Sequence, residues 1–282
     1  MNARTTALSA LIAIRRQNAW ADGALKEYIA RDRLSRRDAA LAARLVYGVV
    51  QNRLLLDFDL AQVVSSPLAK LQPVVLDILR LGAYQILFLD KIPVSAAVNE
   101  AVEQTKTYAN KRAAGLVNGS LRTLARRRDE LVQPHDLATK YSHPQPLVDC
   151  LRASMDDETL EAFLAADNDI PKTALQVNPL KAAPEQVAAA LDEAGVAYEP
   201  HPWLHGCFLV SGTGNLEALP LFQSGAVYVQ DPAAKLSILC AGLPESGGNV
   251  LDCCAAPGGK SFAAAIAMGG KGSIVSCDIY PH

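Results

Sequence analysis

Apolar residues recur at helical spacing along the first 128 residues of the chain. The clearest examples are Leu41, Leu45 and Val49, followed by Val75, Ile78, Leu79, Ile86 and Leu87. An apolar residue every three or four positions is typical of amphipathic helices that bury one face. Ser-Ser-Pro at 65–67 and Lys-Ile-Pro at 91–93 interrupt this spacing, as prolines do between helices. We predict a bundle of six or seven helices, in which Ser35 is a helix N-cap and Asp38 complements the helix dipole.

The helical spacing is lost and prolines accumulate between Asp129 and Pro146, which predicts a linker or domain boundary. Beyond it, helical patches near 147–153 and 157–166 precede an extended segment, Thr-Ala-Leu-Gln-Val-Asn. A helix beginning at Pro184 and short strands near 196–198 and 207–210 complete this region. These elements predict a small α+β module.

The last part of the chain alternates strand and helix patterns. A strand and a helix in AVYVQDPAAKLSILCAGL are followed by a strand in NVLDCC, a glycine loop and helix in GGKSFAAAIAMGG, and a strand in SIVSCD. This order predicts one βαβ unit and the beginning of a parallel sheet. We therefore predict a multidomain protein: an all-α bundle over 1–133, a small α+β module over 134–225, and the first βαβ portion of a Rossmann-like domain over 226–282.

Composition adds a division of charge to this picture. The chain has 282 residues, half of them hydrophobic, and its net charge is −2. Up to Arg128 there are 20 basic residues against 10 acidic ones, and beyond it 7 against 19. A basic module that meets a polyanion, joined to an acidic module, is indicated.

Several classes of protein are disfavoured by the sequence. There is no run of about eighteen apolar residues and no signal-peptide pattern, so we expect a cytoplasmic protein without a membrane segment. The six cysteines lack a CxxC spacing, and we expect most of them to be buried and no metal to be bound. We also expect a monomer. Histidines beside prolines, such as His143, are interpreted as loop residues, and Trp20 and Trp203 as packing residues.

The loop DCCAAPGGKS has three possible interpretations. A phosphate-binding P-loop needs a glycine where Cys254 stands, and a dinucleotide-binding loop needs GxGxxG, of which only Gly258 and Gly259 are present. The third interpretation is a loop for S-adenosylmethionine. Glycine amides at a helix N-terminus suit the carboxylate of that cofactor, and Lys260 adds positive charge. Asp278, nineteen residues after Gly259, lies where an acid can accept the ribose hydroxyls, although a purely structural turn stays open.

The same residues carry a family resemblance. VLDCCAAPGGK, QDPAAKL and CDIYPH resemble motif I and its surroundings in RNA cytosine-C5 methyltransferases. LVYGVVQNRLLLDFDL, ILRLGAYQILFLDKIPVSAAVNEAVE and GLVNGSLR resemble the NusB-like RNA-binding domain of the bacterial 16S ribosomal RNA methyltransferases of the RsmB (Sun, Fmu) type. The resemblance extends along nearly the whole chain and includes YSHPQPLVD. It implies methyl transfer from S-adenosylmethionine to carbon 5 of a cytidine in 16S ribosomal RNA.

The S-adenosylmethionine interpretation of the loop also assigns residues to the cofactor. The expected contacts are the carboxylate of Asp278 and the backbone of Cys254, Ala255, Ala256, Pro257, Gly258, Gly259 and Lys260. Catalysis in the family uses a cysteine of a Thr-Cys motif and a second cysteine of an Asp-Ala-Pro-Cys motif, and neither motif occurs here. We therefore expect a truncated, inactive chain with no catalytic residue of its own. Cys253 and Cys254 belong to the cofactor loop rather than acting as nucleophiles, and we expect Cys277 to be buried.

Basic residues gather toward the end of the helical half. Six of them form the predicted RNA-binding set: Lys111, Arg112, Arg122, Arg126, Arg127 and Arg128. Such a run is often only a solvated helix face, but the excess of positive charge in the whole half favours contact with phosphates. The alternative to a methyltransferase is a non-catalytic NusB-like RNA-binding protein acting in transcription or ribosome biogenesis.

Overall fold

The structure, a computed structural model, describes residues 2–211 and 216–279. The chain comprises two compact units, Met1–Asp169 and Ile170–His282. In the described residues no helix is both long and apolar enough to cross a membrane.

The first unit is helical. Its helices are α1 (Ala3–Gln17), α2 (Ala21–Asp32), α3 (Arg36–Gln51), α4 (Arg53–Ala61), α5 (Pro73–Phe88), α6 (Val94–Tyr108), α7 (Lys111–Arg126), α8 (Leu137–Lys140), α9 (Gln145–Arg152) and α10 (Asp157–Asp167). Short 3-10 turns lie at Leu68–Lys70 and Arg128–Glu130. The prediction of an all-helical first half is confirmed.

Local sequence signals set several helix ends. The Ser35 hydroxyl accepts a hydrogen bond from the Asp38 backbone N–H, which confirms the predicted N-cap of α3. The Asn110 side chain caps α7 in the same way by accepting from the Ala113 N–H. These caps satisfy backbone donors that have no partner within the helix.

Helix α5 lies in the middle of the first unit's core. Ile78, Leu79 and Leu81 are fully buried, and the helix contacts α1, α3, α4, α6 and α7. Gly48 of α3 faces Tyr84 of α5, and Gly82 of α5 faces Leu121 of α7. Because a glycine has no side chain, these helices can approach closely at both points.

One short helix, α8, lies inside the region predicted as a linker, whereas α9 and α10 match the helical patches predicted near 147–153 and 157–166. Helices α8 to α10 form a small core of their own, made of Ala138, Val148, Leu160 and Leu164. These helices fall within the first compact unit, which ends at Asp169. The compact unit therefore extends through α10, and the predicted domain boundary at 133/134 stays a prediction.

The second unit combines strands and helices. Its strands are β1 (Thr173–Val177), β2 (Ala197–Pro200), β3 (Cys207–Ser211), β4 (Val227–Val229), β5 (Gly248–Asp252) and β6 (Gly272–Ser276). Its helices are α11 (Pro184–Glu193), α12 (Pro220–Gln223), α13 (Pro232–Cys240) and α14 (Gly259–Ala267), with a 3-10 turn at Leu216–Ala218.

Four of the strands form an antiparallel sheet in the order β2-β3-β1-β4. In the register, Leu175 of β1 pairs with Phe208 of β3 and with Val229 of β4. Val187 and Leu191 of α11 belong to the same buried cluster as Leu175. The predicted α+β module is thus present, but β4, which the sequence placed in the following domain, completes this sheet.

Strands β5 and β6 pair in parallel and are joined through α14, as the predicted βαβ unit requires. Leu251, Phe262 and Val275 of this unit are exposed. Parallel strands are usually covered by helices on both faces, so this small sheet presents more apolar surface than is typical. The wider Rossmann-like domain stays a prediction.

Two expectations about single residues were wrong. Only Cys207 is buried, and the other five cysteines, including Cys277, are exposed. Trp20 and Trp203 are also exposed, at 88% and 61%, rather than buried in a core, although the Trp203 ring packs edge-on against His201 with 4.4 Å between centroids. For Cys277 the reason is its place at the end of the sparsely covered β5–β6 sheet.

We predict that Asp59→Asn stabilises the first unit above pH 6. Burial raises the pKa of Asp59 to about 6, above its ordinary value of 3.8, and the residue is only 6% exposed. Folding therefore favours the protonated acid, and stability falls as the pH rises from 4 through 6. The asparagine variant should gain up to about 3 kcal/mol at pH 7.5, at about 1.4 kcal/mol for each unit of pKa shift, and almost nothing at pH 4. Thermal unfolding at both pH values measures this gain, and the exposed Asp90→Asn is the control. An equal stability change for Asp59→Asn at both pH values would contradict the prediction.

Candidate functional site

The glycine-rich loop joins the carboxyl end of β5 to the N-terminus of α14. Gly258 is the N-cap of α14, has a φ of 107° and makes no side-chain capping bond. A side chain is strained at such a φ, so glycine is required here for the turn. The first-turn amides of Gly259, Lys260 and Ser261 have no acceptor within the helix and can bind an anionic ligand.

Asp252 and Ser261, which the sequence analysis did not single out, brace the loop. The Asp252 carboxylate accepts from the Cys254 N–H at 3.3 Å and from the Ser261 hydroxyl at 2.7 Å. The Ser261 hydroxyl also lies 2.8 Å from that of Ser276 on β6. Both ends of the loop are therefore tied to the parallel strands.

The structure brings Asp278 to the loop, as the sequence predicted. Its carboxylate accepts from the Ala256 N–H at 2.9 Å, and the residue is exposed. The Ala255 N–H donates to the Cys277 carbonyl at 3.0 Å, which extends the contact between β6 and the loop. Asp278 thus supports the loop directly, and its contact with a ribose stays a prediction.

A buried amide lies beside this helix N-terminus. Among the described residues, neither polar atom of the Gln230 side chain has a hydrogen-bond partner, although both are buried. A Cβ added to Gly259 would lie 3.5 Å from the Gln230 Nε2. Since buried polar groups nearly always have partners, this amide fits a polar ligand at the loop. No single-residue signal in the sequence would have identified it.

The predicted cofactor residues therefore form one surface. Cys254, Ala256, Pro257 and Lys260 are exposed, whereas Ala255, Gly258 and Gly259 are partly buried in the turn. The helix amides, the orphaned amide of Gln230 and the nearby carboxylate offer both donors and an acceptor. This donor set fits the carboxylate, ammonium and ribose of S-adenosylmethionine.

Four of the six predicted RNA-binding residues share one face of α7. These four residues, here called the α7 basic face, are Lys111, Arg112, Arg122 and Arg126. All four are exposed, and they lie within about 100° of one another around the helix. The buried residues Val117, Leu121 and Leu124 lie on the opposite side. The four charges therefore point to solvent together.

Two glycines lie on the same exposed side of α7. A Cβ added to Gly115 or Gly119 would meet no atom within 4 Å. Between them, Asn118 accepts a hydrogen bond from the Arg122 Nε at 2.9 Å. The middle of this face therefore has no large side chains at the two glycines, and another molecule can approach the helix backbone closely there.

Arg127 and Arg128 stand apart from this face. They follow the end of α7 and pair with nearby acids: Arg127 with Glu130 at 3.4 Å and Arg128 with Asp129 at 3.5 Å. Exposed pairs of this kind are weak, so both side chains remain able to exchange their partners. Their contact with RNA stays a prediction.

Metal ligation has no candidate in residues 2–211 and 216–279. No group of three or more His, Cys, Asp or Glu side chains is placed to hold an ion there.

Comparison with known protein families assigns two parts of the chain. Residues 1–126 match the NusB family, and residues 143–217 match the ferredoxin-like domain of RsmF/B-like methyltransferases.

Curated relatives resemble the chain along most of its length. The probable ribosomal RNA small subunit methyltransferase B of Bacillus subtilis is 36% identical over 99% of this chain and 63% of its own length. The corresponding protein of Synechocystis is 33% identical over 99% of this chain and 64% of its length. Ribosomal RNA small subunit methyltransferase B of Escherichia coli O1:K1 is 32% identical over 81% of this chain and 53% of its own length. The chain thus spans less than two thirds of these relatives.

A solved structure supports the fold. The crystal structure of PH0851 superposes with a TM-score of 0.70 at 23% identity, and covers 98% of this chain and 63% of that protein. At this identity the likeness concerns the fold alone.

Proposed function

We propose that this chain, which matches the NusB family and the ferredoxin-like domain of RsmF/B-like methyltransferases, serves the methylation of carbon 5 of a cytidine in 16S ribosomal RNA. S-adenosylmethionine is the proposed methyl donor. The observation that carries the proposal is the loop between β5 and α14, where Gly258 makes the turn, the unpartnered Gln230 amide lies beside Gly259, and Asp278 accepts from the Ala256 N–H. The curated relatives named as ribosomal RNA methyltransferases support the same reaction class.

In this proposal each part of the loop has a distinct role. The first amides of α14 hold the cofactor carboxylate at the positive end of the helix dipole. Gln230 supplies donor and acceptor atoms, and Asp278 accepts the ribose hydroxyls while it supports Ala256. When bound, the cofactor supplies a methyl group on a positively charged sulfur.

Methylation at carbon 5 also needs a nucleophile. In the family that the chain resembles, a cysteine thiolate adds to carbon 6 of the base, which makes carbon 5 reactive toward the methyl group. The Thr-Cys and Asp-Ala-Pro-Cys motifs are not among these 282 residues. The proposal therefore assigns cofactor and RNA binding to this chain and no catalytic residue.

RNA binding without catalysis is the second candidate function. It is favoured by the α7 basic face, which needs no cofactor to contact phosphates. The two functions differ in whether the chain binds S-adenosylmethionine.

We predict that Asp278→Ala weakens binding of S-adenosylmethionine about tenfold, the scale for losing charge-assisted hydrogen bonds. Isothermal titration calorimetry on the 282-residue chain measures this. Asp278→Asn keeps an acceptor for the Ala256 N–H and should lose less affinity, whereas exposed Glu185→Ala is the control and should bind as the unmodified chain does. Equal affinity in the alanine variant would indicate a purely structural loop, and no binding by the unmodified chain would favour RNA binding alone.

A further inference from the structure

A cavity of about 600 Å³ lies within the first unit, apart from the α7 basic face. It opens where three helices end: Asn18 follows α1, Gln51 ends α3, and Asn168 follows α10. Gln51 and Asn168 contact each other, because the Gln51 Nε2 donates to the Asn168 carbonyl at 2.9 Å. The last carbonyls of α1 lack partners within their helix and can accept hydrogen bonds. Its volume falls within the range of about 300–1,000 Å³ that is usual for small-molecule sites.

One wall of the cavity is a fixed chain of charges. The Arg15 Nε donates to the Asp77 carboxylate at 2.8 Å. Arg80 lies 3.6 Å from the same carboxylate. On its other side, Arg80 donates two hydrogen bonds to Asp57, at 2.7 and 2.6 Å. Burial raises the pKa of Asp77, and the hydrogen bond from Arg15 opposes that effect. The carboxylates hold both guanidinium groups in place, and a fixed guanidinium plane is a good stacking surface for a base.

His143 gives the cavity an unsatisfied polar atom. The residue lines the cavity and is only 7% exposed. Its Nε2 lies 2.9 Å from the Asp167 carboxylate, whereas its buried Nδ1 has no partner among the described residues. Sequence reasoning had interpreted His143 as a loop residue. A buried ring nitrogen without a partner indicates that a polar ligand group belongs there.

The rest of the lining indicates the class of that ligand. Leu11, Val49 and Leu54 supply apolar surface, which suits a flat ring. Arg53 is exposed at the cavity and makes no ion pair in the part of the chain that the structure describes, so it suits an anion. A nucleotide combines a flat base, polar edges that match His143 and the end of α1, and a phosphate.

We propose that this cavity binds one unpaired nucleotide of an RNA, with its base against the apolar wall and its phosphate on Arg53. The inference rests on the proposed function, which makes RNA the partner of this chain. The α7 basic face holds RNA through phosphates and reads no structure, whereas the cavity selects RNA that has a base free to leave the stack. Free mononucleotides share the same chemistry and are distinguished by the test.

The test compares two labelled RNAs by fluorescence anisotropy with the 282-residue chain: a fully paired duplex and the same duplex with a short unpaired bulge. The unmodified chain should prefer the bulged RNA about tenfold, the scale of stacking one base. Arg53→Gln and His143→Phe should each reduce this preference to about twofold or less and leave duplex binding unchanged. Exposed Arg37→Gln removes the same charge outside the cavity and should leave the preference for the bulged RNA unchanged.

His143→Phe removes the contact with Asp167 and can therefore destabilise the first unit. Arg53 is exposed, so Arg53→Gln should fold normally. Thermal unfolding of both variants checks that they are folded. The cavity proposal would be overturned if Arg53→Gln still preferred the bulged RNA, or if the unmodified chain showed no such preference. If the chain still bound the duplex in either case, the proposed function would stand. Binding of adenosine 5′-monophosphate without any preference for the bulge would make a free nucleotide the ligand and overturn it too. No binding of either RNA would overturn both proposals.

Discussion

The affinity for structured RNA should fall at least about a hundredfold at moderate salt when glutamine replaces Lys111, Arg112, Arg122 and Arg126. The slope of log affinity against log salt concentration should become shallower by about three to four. Each phosphate that a basic side chain neutralises releases a counterion, and this release drives binding. The four side chains point to solvent from one side of α7, opposite its buried face. A rigid duplex can therefore contact them together.

The measurement is fluorescence anisotropy over a series of salt concentrations. Arg36, Arg37, Lys70 and Lys91 are exposed and lie outside α7, so glutamine at these four positions gives the same change in net charge. If this control flattened the salt dependence as much as the α7 variant, net charge rather than the α7 basic face would govern binding. Arg127→Ala with Arg128→Ala should have a smaller effect, because each arginine already has an acidic neighbour.

The sequence predicted the local elements well because they depend on local spacing. The helical first half, the Ser35 cap and the strands near Leu175 and Phe208 follow from periodicity and from the chemistry of helix ends. Partners of those elements were harder to predict. The strand Val227–Val229 was recognised, but its pairing with β1 depends on residues fifty positions away.

The candidate site shows the same limit. The glycine turn at Gly258 and the approach of Asp278 followed from a spacing that reflects strand, loop and helix. Gln230 and His143 were not identified, because nothing near them in sequence indicates that a side-chain atom is buried without a partner. Such atoms become evident only when distant segments are packed together.

Gly48→Ala should lower the free energy of unfolding of the first unit by about 2 kcal/mol and its melting temperature by about 4–8 °C. An added Cβ would lie 1.9 Å from the Cζ atom of Tyr84. Tyr84 cannot withdraw easily, because it is 7% exposed and its ring stacks on Phe88 with 5.1 Å between centroids. The better helix propensity of alanine offsets only about 1 kcal/mol of this cost.

Gly115→Ala on the open side of α7 is the matched control, since it makes the same chemical change with no atom within 4 Å. There the propensity gain acts alone, and the variant should be more stable by about 0.5–1 kcal/mol. Tyr84→Leu shortens the side chain that Gly48→Ala meets, so the double variant should lose less stability than the sum of the single losses. Strictly additive losses in denaturant unfolding would show that the α3–α5 contact at Gly48 is not what requires glycine. A stabilising Gly48→Ala would show that helix propensity outweighs the close approach of α3 and α5.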